Sequence, residues 1–191
     1  MSISKNFEND IKVNQVSEGN FTANISEDWS IGQTANGGYS MALLAKACSK
    51  YLEHKDPLVL SANYIDRVDF GPAEIEVSKI ATTKSTSSAS VSLRQKGILK
   101  IFSTVTFTDF SKMSGLNDNL RQAPDFESYE NCIQIPYKEG FNPKLDKNLE
   151  KKYCSDSIWW EKSDDKNDAV LKLFMGWKDG GPVDIFGLIL F

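Results

Sequence analysis

The sequence at residues 39–53 reads YSMALLAKACSKYLE. Five of its apolar residues recur at the spacing of one helical face: Met41, Leu44, Ala45, Cys48 and Leu52. Further apolar residues widen that face and leave only a narrow polar stripe, so other structure has to wrap the helix. We therefore predict a buried helix over residues 39–53, ending before Pro57 because proline cannot continue a helix.

Four extended segments follow this helix, at residues 58–67, 73–77, 88–94 and 99–108. In the last three, apolar residues alternate with polar ones, a period that is typical of half-buried antiparallel strands. Lys96-Gly97 predicts a tight hairpin turn between the last two. One buried helix followed by four antiparallel strands predicts an α+β fold. In this fold, the hotdog arrangement, an antiparallel sheet curls around one central helix.

The flanking segments give a domain division. Residues 1–20 are polar, which predicts a loosely held arm. The first predicted repeat spans residues 1–115. Residues 116–150 lack periodicity and predict a surface linker. Residues 151–191 predict the incomplete start of a second repeat, with a strand at 170–175, because Trp29 and Gly37-Gly38 before an apolar helix recur as Trp177 and Gly180-Gly181 before another. The C-terminal helix is expected to leave an apolar terminus uncovered at its end.

Composition excludes several classes of function. A net charge of −4 gives no electrostatic reason to expect nucleic acid or an anionic membrane as partner. No secretory signal or transmembrane run is apparent, and three widely spaced cysteines indicate reduced thiols, so we expect a cytoplasmic protein. The single histidine, His54, and the scattered cysteines offer no zinc-ligand spacing, and nucleotide motifs are missing, so no metal and no cofactor are predicted.

The order and spacing of several short motifs resemble the acyl-CoA thioesterase-like family related to bacterial acyl-CoA thioesterase II. The motifs are Trp29-Ser30-Ile31, Asn36-Gly37-Gly38-Tyr39, His54-Lys55-Asp56-Pro57, Asn63-Tyr64-Ile65, Gly71-Pro72-Ala73-Glu74-Ile75-Glu76-Val77 and the segment from Ser88 to Gln95-Lys96-Gly97. The resemblance covers residues 21–110 well and residues 150–191 more weakly. Lys84-Ser85 departs from it where a glycine-containing turn is expected.

The resemblance implies two hotdog repeats that form a pseudo-dimer around a shared acyl-CoA site. It also implies an Asp, a hydroxyl residue and a Gln that orient the hydrolytic water, and it places them beyond Phe191. No catalytic residue is therefore assigned. The expected small-molecule partner is an acyl-CoA, and a homo-oligomer is expected. Whether such an oligomer completes the sheet of the second repeat between chains stays open.

The predicted substrate-binding residues are Asn36, Gly37, Gly38 and Tyr39. They begin the buried helix, where free N–H groups and the helix dipole favour a developing oxyanion, and glycine lets a ligand carbonyl approach. The simpler interpretation, that the glycines serve only a tight turn, is favoured as the sole explanation.

Other candidates have simpler interpretations as well. Asp184 is expected to stabilise the start of the second helix rather than act as a base. Gln95 is expected to be solvated at a hairpin edge, and His54 to be structural. Trp159, Trp160 and Trp177 could line an acyl pocket, but core packing explains them more simply.

Three functional hypotheses stay open. The chain hydrolyses a fatty or aromatic acyl-CoA to free acid and CoA, or it binds acyl-CoA without catalysis. In the third, it is part of a longer protein and inactive alone.

Overall fold

The computed structural model describes residues 5–115, 118, 122, 124–158 and 170–191. The elements in chain order are α1 Lys5–Asp10, β1 Asn14–Ser17, β2 Asn20–Ile25, β3 Ser30–Ile31, β4 Thr34–Ala35, α2 Gly37–Tyr51, β5 Asp56–Tyr64, β6 Gly71–Thr82, β7 Ser87–Gln95, β8 Ile98–Thr108, β9 Ile133–Gln134, β10 Leu149–Tyr153, β11 Leu173–Trp177 and α3 Ile185–Leu190. Short 3-10 helices lie at Glu27–Trp29, Phe110–Lys112, Lys144–Asn148 and Ser155–Ser157. Within the described residues, no helix combines the length and apolar character needed to cross a bilayer.

One antiparallel six-stranded sheet, in the order β1-β2-β6-β7-β8-β5, packs against the long helix α2. Nine residues of α2 are buried, and alternate residues of β6 and β8 point into the same core. The predicted buried helix and the four predicted strands are thus confirmed. The helix begins two residues earlier than predicted because Asn36 caps it, and it ends at Tyr51, before an extended Leu52.

The turn between β7 and β8 confirms the predicted hairpin. Lys96 and Gly97 have φ angles of 51° and 76°, and Gln95 pairs with Ile98 across the turn. Positive φ at both central positions is the type I′ geometry, whose twist matches that of the flanking strands.

The prediction of a loosely held N-terminal arm is wrong. Residues 5–10 form α1, and Phe7, Ile11 and Val13 are buried in the main core. β1 then extends the sheet by pairing with β2. The carboxylate of Asp10 accepts a hydrogen bond from the Trp29 indole at 2.8 Å. Three apolar side chains among polar ones are too few to give a periodic signal, yet they are enough to anchor the segment.

The C-terminal part forms a second, smaller sheet in the order β11-β10-β9. The predicted strand at 170–175 is present but begins later, as β11. The predicted linker, 116–150, contains β9 and a 3-10 helix, and its Leu145 and Leu149 are buried with the main core. The described residues of that segment are therefore held by pairing and packing, while the division into two repeats stays a prediction.

An aromatic cluster joins the two ends of the chain. Phe7 lies 5.0 Å from Trp29 and 4.8 Å from Trp177 between ring centroids, and Trp177 lies 4.9 Å from Phe191. The terminus is consequently less bare than predicted: Ile189, Leu190 and Phe191 pack partly buried on the core, although Leu188 is 65% exposed.

Candidate functional site at the start of the central helix

The first turn of α2 is fixed by hydrogen bonds from three directions. The Asn36 backbone N–H donates to Trp29 O at 2.8 Å, and the Ala35 N–H donates to Val68 O at 3.0 Å in the loop after β5. The Asn36 side chain accepts from the Tyr39 N–H at 3.0 Å, which makes it the N-cap. A residue with a short polar side chain is needed here because the first helical N–H groups lack partners within the helix.

Tyr64, at the end of β5, covers Gly37. Its hydroxyl donates to the Gly37 carbonyl at 2.9 Å. A Cβ at position 37 would lie 3.2 Å from the Tyr64 ring, so glycine lets the phenol lie against the helix start. Desolvation by burial raises the pKa of Tyr64, so it is a neutral hydrogen-bond donor near neutral pH and not a base.

Backbone of α3 fills the space beside Gly38 where a Cβ would be. A Cβ at position 38 would lie 2.7 Å from Ile189 O and 2.8 Å from Leu190 Cα, closer than a side chain tolerates. The expectation that this glycine admits a ligand carbonyl on the side where its Cβ would be is therefore wrong, because backbone of the second helix fills that space. The simpler interpretation holds in modified form, since the glycine serves packing against α3.

Tyr39 is a core residue. It is fully buried, its hydroxyl donates to Asp10 O at 2.8 Å, and it accepts from the Ser26 N–H at 3.1 Å. Desolvation by burial raises its pKa well above the ordinary range for a phenol. Its hydroxyl bonds to α1 and to the residue after β2, so its contribution to any site is to hold α2 in place.

At this helix end, backbone N–H groups remain available to bind a ligand. Among the described residues, the N–H groups of Gly37 and Gly38 have no acceptor, because the Asn36 cap takes only the Tyr39 N–H. Unpaired N–H groups at a helix start, together with the dipole of α2, favour a partial negative charge. The arrangement can bind an anionic or carbonyl oxygen. Tyr64 is the neighbour that sequence reasoning missed, and its position at the end of a strand gave no signal of this contact.

His54 contacts a serine, but the pair is not a nucleophilic dyad. His54 Nδ1 lies 2.7 Å from Ser87 Oγ, and Ser87 donates to the Glu53 carboxylate at 3.4 Å. In a catalytic triad the carboxylate would orient the histidine, not the serine. Ser87 is also fully buried. These contacts support the predicted structural role of His54, which stays a prediction.

Gln95 departs from its prediction. It is 6% exposed rather than solvated, its side-chain oxygen accepts from the Asp69 N–H at 2.9 Å, and its side-chain nitrogen donates to Asp69 O at 2.8 Å. It therefore holds the loop between β5 and β6, and this loop also carries Val68, the acceptor for Ala35. A buried amide satisfies the backbone of a loop that has no strand partner there.

Two further predictions are confirmed. Asp184 is the N-cap of α3, with its carboxylate accepting from the Gly187 N–H at 2.8 Å. Trp177 is 2% exposed and belongs to the core. Trp159 and Trp160 lie outside the described residues.

Part of the sequence is similar to a known family. Residues 25–108 match the model of the acyl-CoA thioesterase N-terminal domain, a span that includes Asn36–Tyr39, Tyr64 and Gln95. No curated protein matches the sequence.

Solved structures agree on the architecture. A protein of Thermobifida fusca provisionally assigned as a thioesterase II superposes with a TM-score of 0.85 at 19% identity, over 96% of this chain and 71% of its own. A protein of unknown function with a hot dog fold from Alicyclobacillus acidocaldarius gives 0.84 at 17%, over 98% and 68%. The acyl-CoA thioesterase II TesB2 of Mycobacterium marinum gives 0.71 at 10%, over 96% and 65%. At these identities the likeness shows the fold, and the hotdog prediction is confirmed.

Proposed function

We propose that this chain recognises an acyl-CoA thioester and takes part in its hydrolysis to free acid and CoA. The match of residues 25–108 to the acyl-CoA thioesterase N-terminal domain carries the proposal. The uncapped N–H groups of Gly37 and Gly38 at the start of a buried helix support it.

In the proposed binding mode, the thioester carbonyl oxygen accepts from the N–H of Gly37 or Gly38. Attack of water on the carbonyl carbon would move negative charge onto this oxygen, and the fixed N–H groups and the dipole of α2 would stabilise that charge without reorganising. Tyr64 would border the same position as a neutral donor. Because α3 packs against Gly38, the substrate would approach from the side of Gly37.

The proposal assigns no general base within the described residues. Asp10 accepts from Trp29 and Asp184 caps α3, so these two carboxylates are engaged in holding the fold. This observation favours the second candidate function, acyl-CoA binding without turnover by this chain alone. In both cases the ligand, an acyl-CoA, and the helix end that receives it are the same.

The substitution Asn36→Asp tests the site without unfolding it. Aspartate caps helices as well as asparagine does and interacts favourably with the helix dipole, so stability should be kept or raised slightly. The added negative charge lies beside the proposed carbonyl site and should repel an oxyanion or the oxygen of a bound thioester. The exposed residue Asn14 on β1 offers a matched control, since Asn14→Asp makes the same chemical change elsewhere.

Two readouts separate the candidate functions. Acyl-CoA binding is followed by calorimetry or by a rise in Tm, and hydrolysis by release of free CoA thiol. Hydrolysis by the wild-type chain that falls at least about tenfold in Asn36→Asp supports thioester hydrolysis at this site. Binding without thiol release, weakened in the same variant, supports the binding function. Neither binding nor turnover by the wild-type chain, or an Asn36→Asp variant equal to Asn14→Asp, would contradict the site.

A further inference from the structure

Two of the three cysteines, scattered in the sequence, meet in the C-terminal part of the fold. Cys132 Sγ and Cys154 Sγ lie 3.6 Å apart, and both side chains are buried. The strand register explains why: Gln134 pairs with Lys152 and Ile133 with Tyr153, so Cys132 and Cys154 occupy the next opposite positions. The sequence-based argument that the cysteines are too scattered for a metal site is therefore wrong for this pair.

A carboxylate completes the group. Oxygen and sulfur atoms of Glu127, Cys132 and Cys154 all lie within 4.8 Å of one another. One carboxylate oxygen of Glu127, Oε2, accepts from the Ser155 N–H at 2.7 Å, which fixes the side chain beside the thiols. Thiolate and carboxylate are both established zinc ligands, and a backbone N–H bonded to a ligating carboxylate is a common way to orient it.

The sulfur spacing fits a shared metal ion better than a covalent bond. Two thiolates bound to one tetrahedral zinc, each at about 2.3 Å from it, stand about 3.8 Å apart. A disulfide requires about 2.05 Å between sulfurs. The observed 3.6 Å is close to the first value, so a metal can enter with little movement of Cys132 and Cys154.

The surrounding charge also suits a divalent cation. Two thiolates and one carboxylate would bring three negative charges, which a divalent ion reduces to one. Lys152 lies near Cys132, and Lys172 lies near Cys154. Lys152 is held over the Tyr129 ring at 3.9 Å, and Lys172 pairs with Asp156 at 2.9 Å. Of these two ammonium groups, that of Lys152 offsets the remaining negative charge, since Lys172 already pairs with Asp156.

We propose that Cys132, Cys154 and Glu127 form a binding site for a thiophilic divalent cation of the Zn²⁺ class, with water as the fourth ligand. Zinc replaces the two thiol protons, which leave to solvent, and no oxidation occurs. The bound ion links residues 127–132 to the end of β10 and stabilises the small sheet. This site is independent of the proposed thioester site, because it uses none of the residues at the start of α2.

The test is a titration of the reduced, metal-free 191-residue chain with Co²⁺. We expect a sulfur-to-cobalt charge-transfer band at one equivalent that Zn²⁺ abolishes by displacement. Cys132→Ser and Cys154→Ser should lose the band, and Glu127→Gln should weaken zinc binding by at least the roughly tenfold seen for loss of an outer-shell partner. Cys48→Ala is the matched control, because Cys48 is a buried thiol on α2 outside the cluster.

A second measurement uses the wild-type chain, so it tests the proposal even if the variants fail to fold. Alkylation followed by mass spectrometry should show that Zn²⁺ protects Cys132 and Cys154 and leaves the labelling of Cys48 unchanged. The proposal is overturned by absence of a stoichiometric cobalt band in the wild type, or by a band that depends on Cys48. It is also overturned if the reduced chain binds no metal while mild oxidation by oxidised glutathione joins Cys132 to Cys154.

Discussion

Gly38 in α2 and Leu190 in α3 are in direct backbone contact. A Cβ at position 38 would stand 2.8 Å from Leu190 Cα and 2.9 Å from Leu190 O. The start of one helix therefore meets the end of the other at a point where only glycine fits. The contact brings the carbonyl end of α3 to the N–H end of α2.

Gly38→Ala should destabilise the fold. Alanine favours a helix interior over glycine by up to about 1 kcal/mol. Overpacking against backbone costs about 1–3 kcal/mol, and backbone cannot rotate away as a side chain can. We expect a net loss of roughly 1–2 kcal/mol in the free energy of unfolding in urea, with faster amide exchange in α3. Gly176→Ala, where no heavy atom lies within 4 Å of the new Cβ, is the control. Equal stability of the two variants would show that α3 does not pack on Gly38.

Phe7→Ala should show that the N-terminal segment is part of the core. Phe7 is fully buried and lies against both Trp29 and Trp177. Removing a buried phenylalanine ring costs about 3–5 kcal/mol. Val16→Ala, at a position that is 64% exposed, should change stability by no more than about 0.5 kcal/mol. Denaturant unfolding of both variants checks this, and a loss below about 1 kcal/mol for Phe7→Ala would favour a loosely held arm instead.

Gln95→Leu should cost about 1–3 kcal/mol, because it leaves the polar backbone atoms of Asp69 and the carbonyl of Pro72 without the amide that satisfies them. Leucine keeps most of the side-chain volume, so the loss reports hydrogen bonding more than packing. Gln33 is exposed in the turn between β3 and β4, and Gln33→Leu is the control. If thermal unfolding gave the same Tm for the two variants, the loop after β5 would not depend on Gln95.

The ion pair between Lys100 and Asp66 should make stability depend on pH. Their charged atoms lie 2.6 Å apart, and the Lys100 side chain is only 6% exposed. A hydrogen bond from Lys100 lowers the pKa of Asp66, and the same bond raises the pKa of Lys100. The lowered carboxyl pKa adds stability above the ordinary Asp range, and that stability is lost as pH falls through the lowered value. The raised ammonium pKa adds stability that is present below the ordinary Lys value and is lost as pH rises through the raised one.

Asp66→Asn should therefore lower the Tm at neutral pH and flatten its fall in acid. The control is Asp118→Asn, which changes an exposed carboxylate. Tm measured from neutral pH down to about pH 2 checks the difference. If the Tm of the wild type and of Asp66→Asn fell equally as the pH is lowered, the ion pair would contribute nothing to stability in acid.

Local patterns allowed much of α2 and of the six-stranded sheet to be predicted. The apolar face of α2 and the alternation in β6, β7 and β8 report burial through the helical and strand periods alone. Lys96-Gly97 likewise specified its own turn. The order of β6, β7 and β8 was accessible because consecutive antiparallel strands joined by short turns have few other ways to pair, but the pairing of β5 with β8 was not.

Only part of the candidate site could be predicted from the sequence. Its position at the start of α2 followed from Asn36 and the two glycines, because a cap residue and flexible backbone mark a helix start. Which neighbours fill the space around it did not follow: Tyr64 arrives from β5 and Leu190 from α3. Gln95 was placed in solvent for the same reason, since its partners on the loop after β5 are distant in the sequence.

By itself, then, the sequence determined that one apolar helix is wrapped by an antiparallel sheet, because residue periodicity encodes burial locally. Only the tertiary structure decided that α3 closes over Gly38, that Phe7 joins the core, and that Cys132 meets Cys154 beside Glu127. Those contacts depend on strand register and on the path of the chain between distant segments. Neither leaves a periodic signal in the residues themselves.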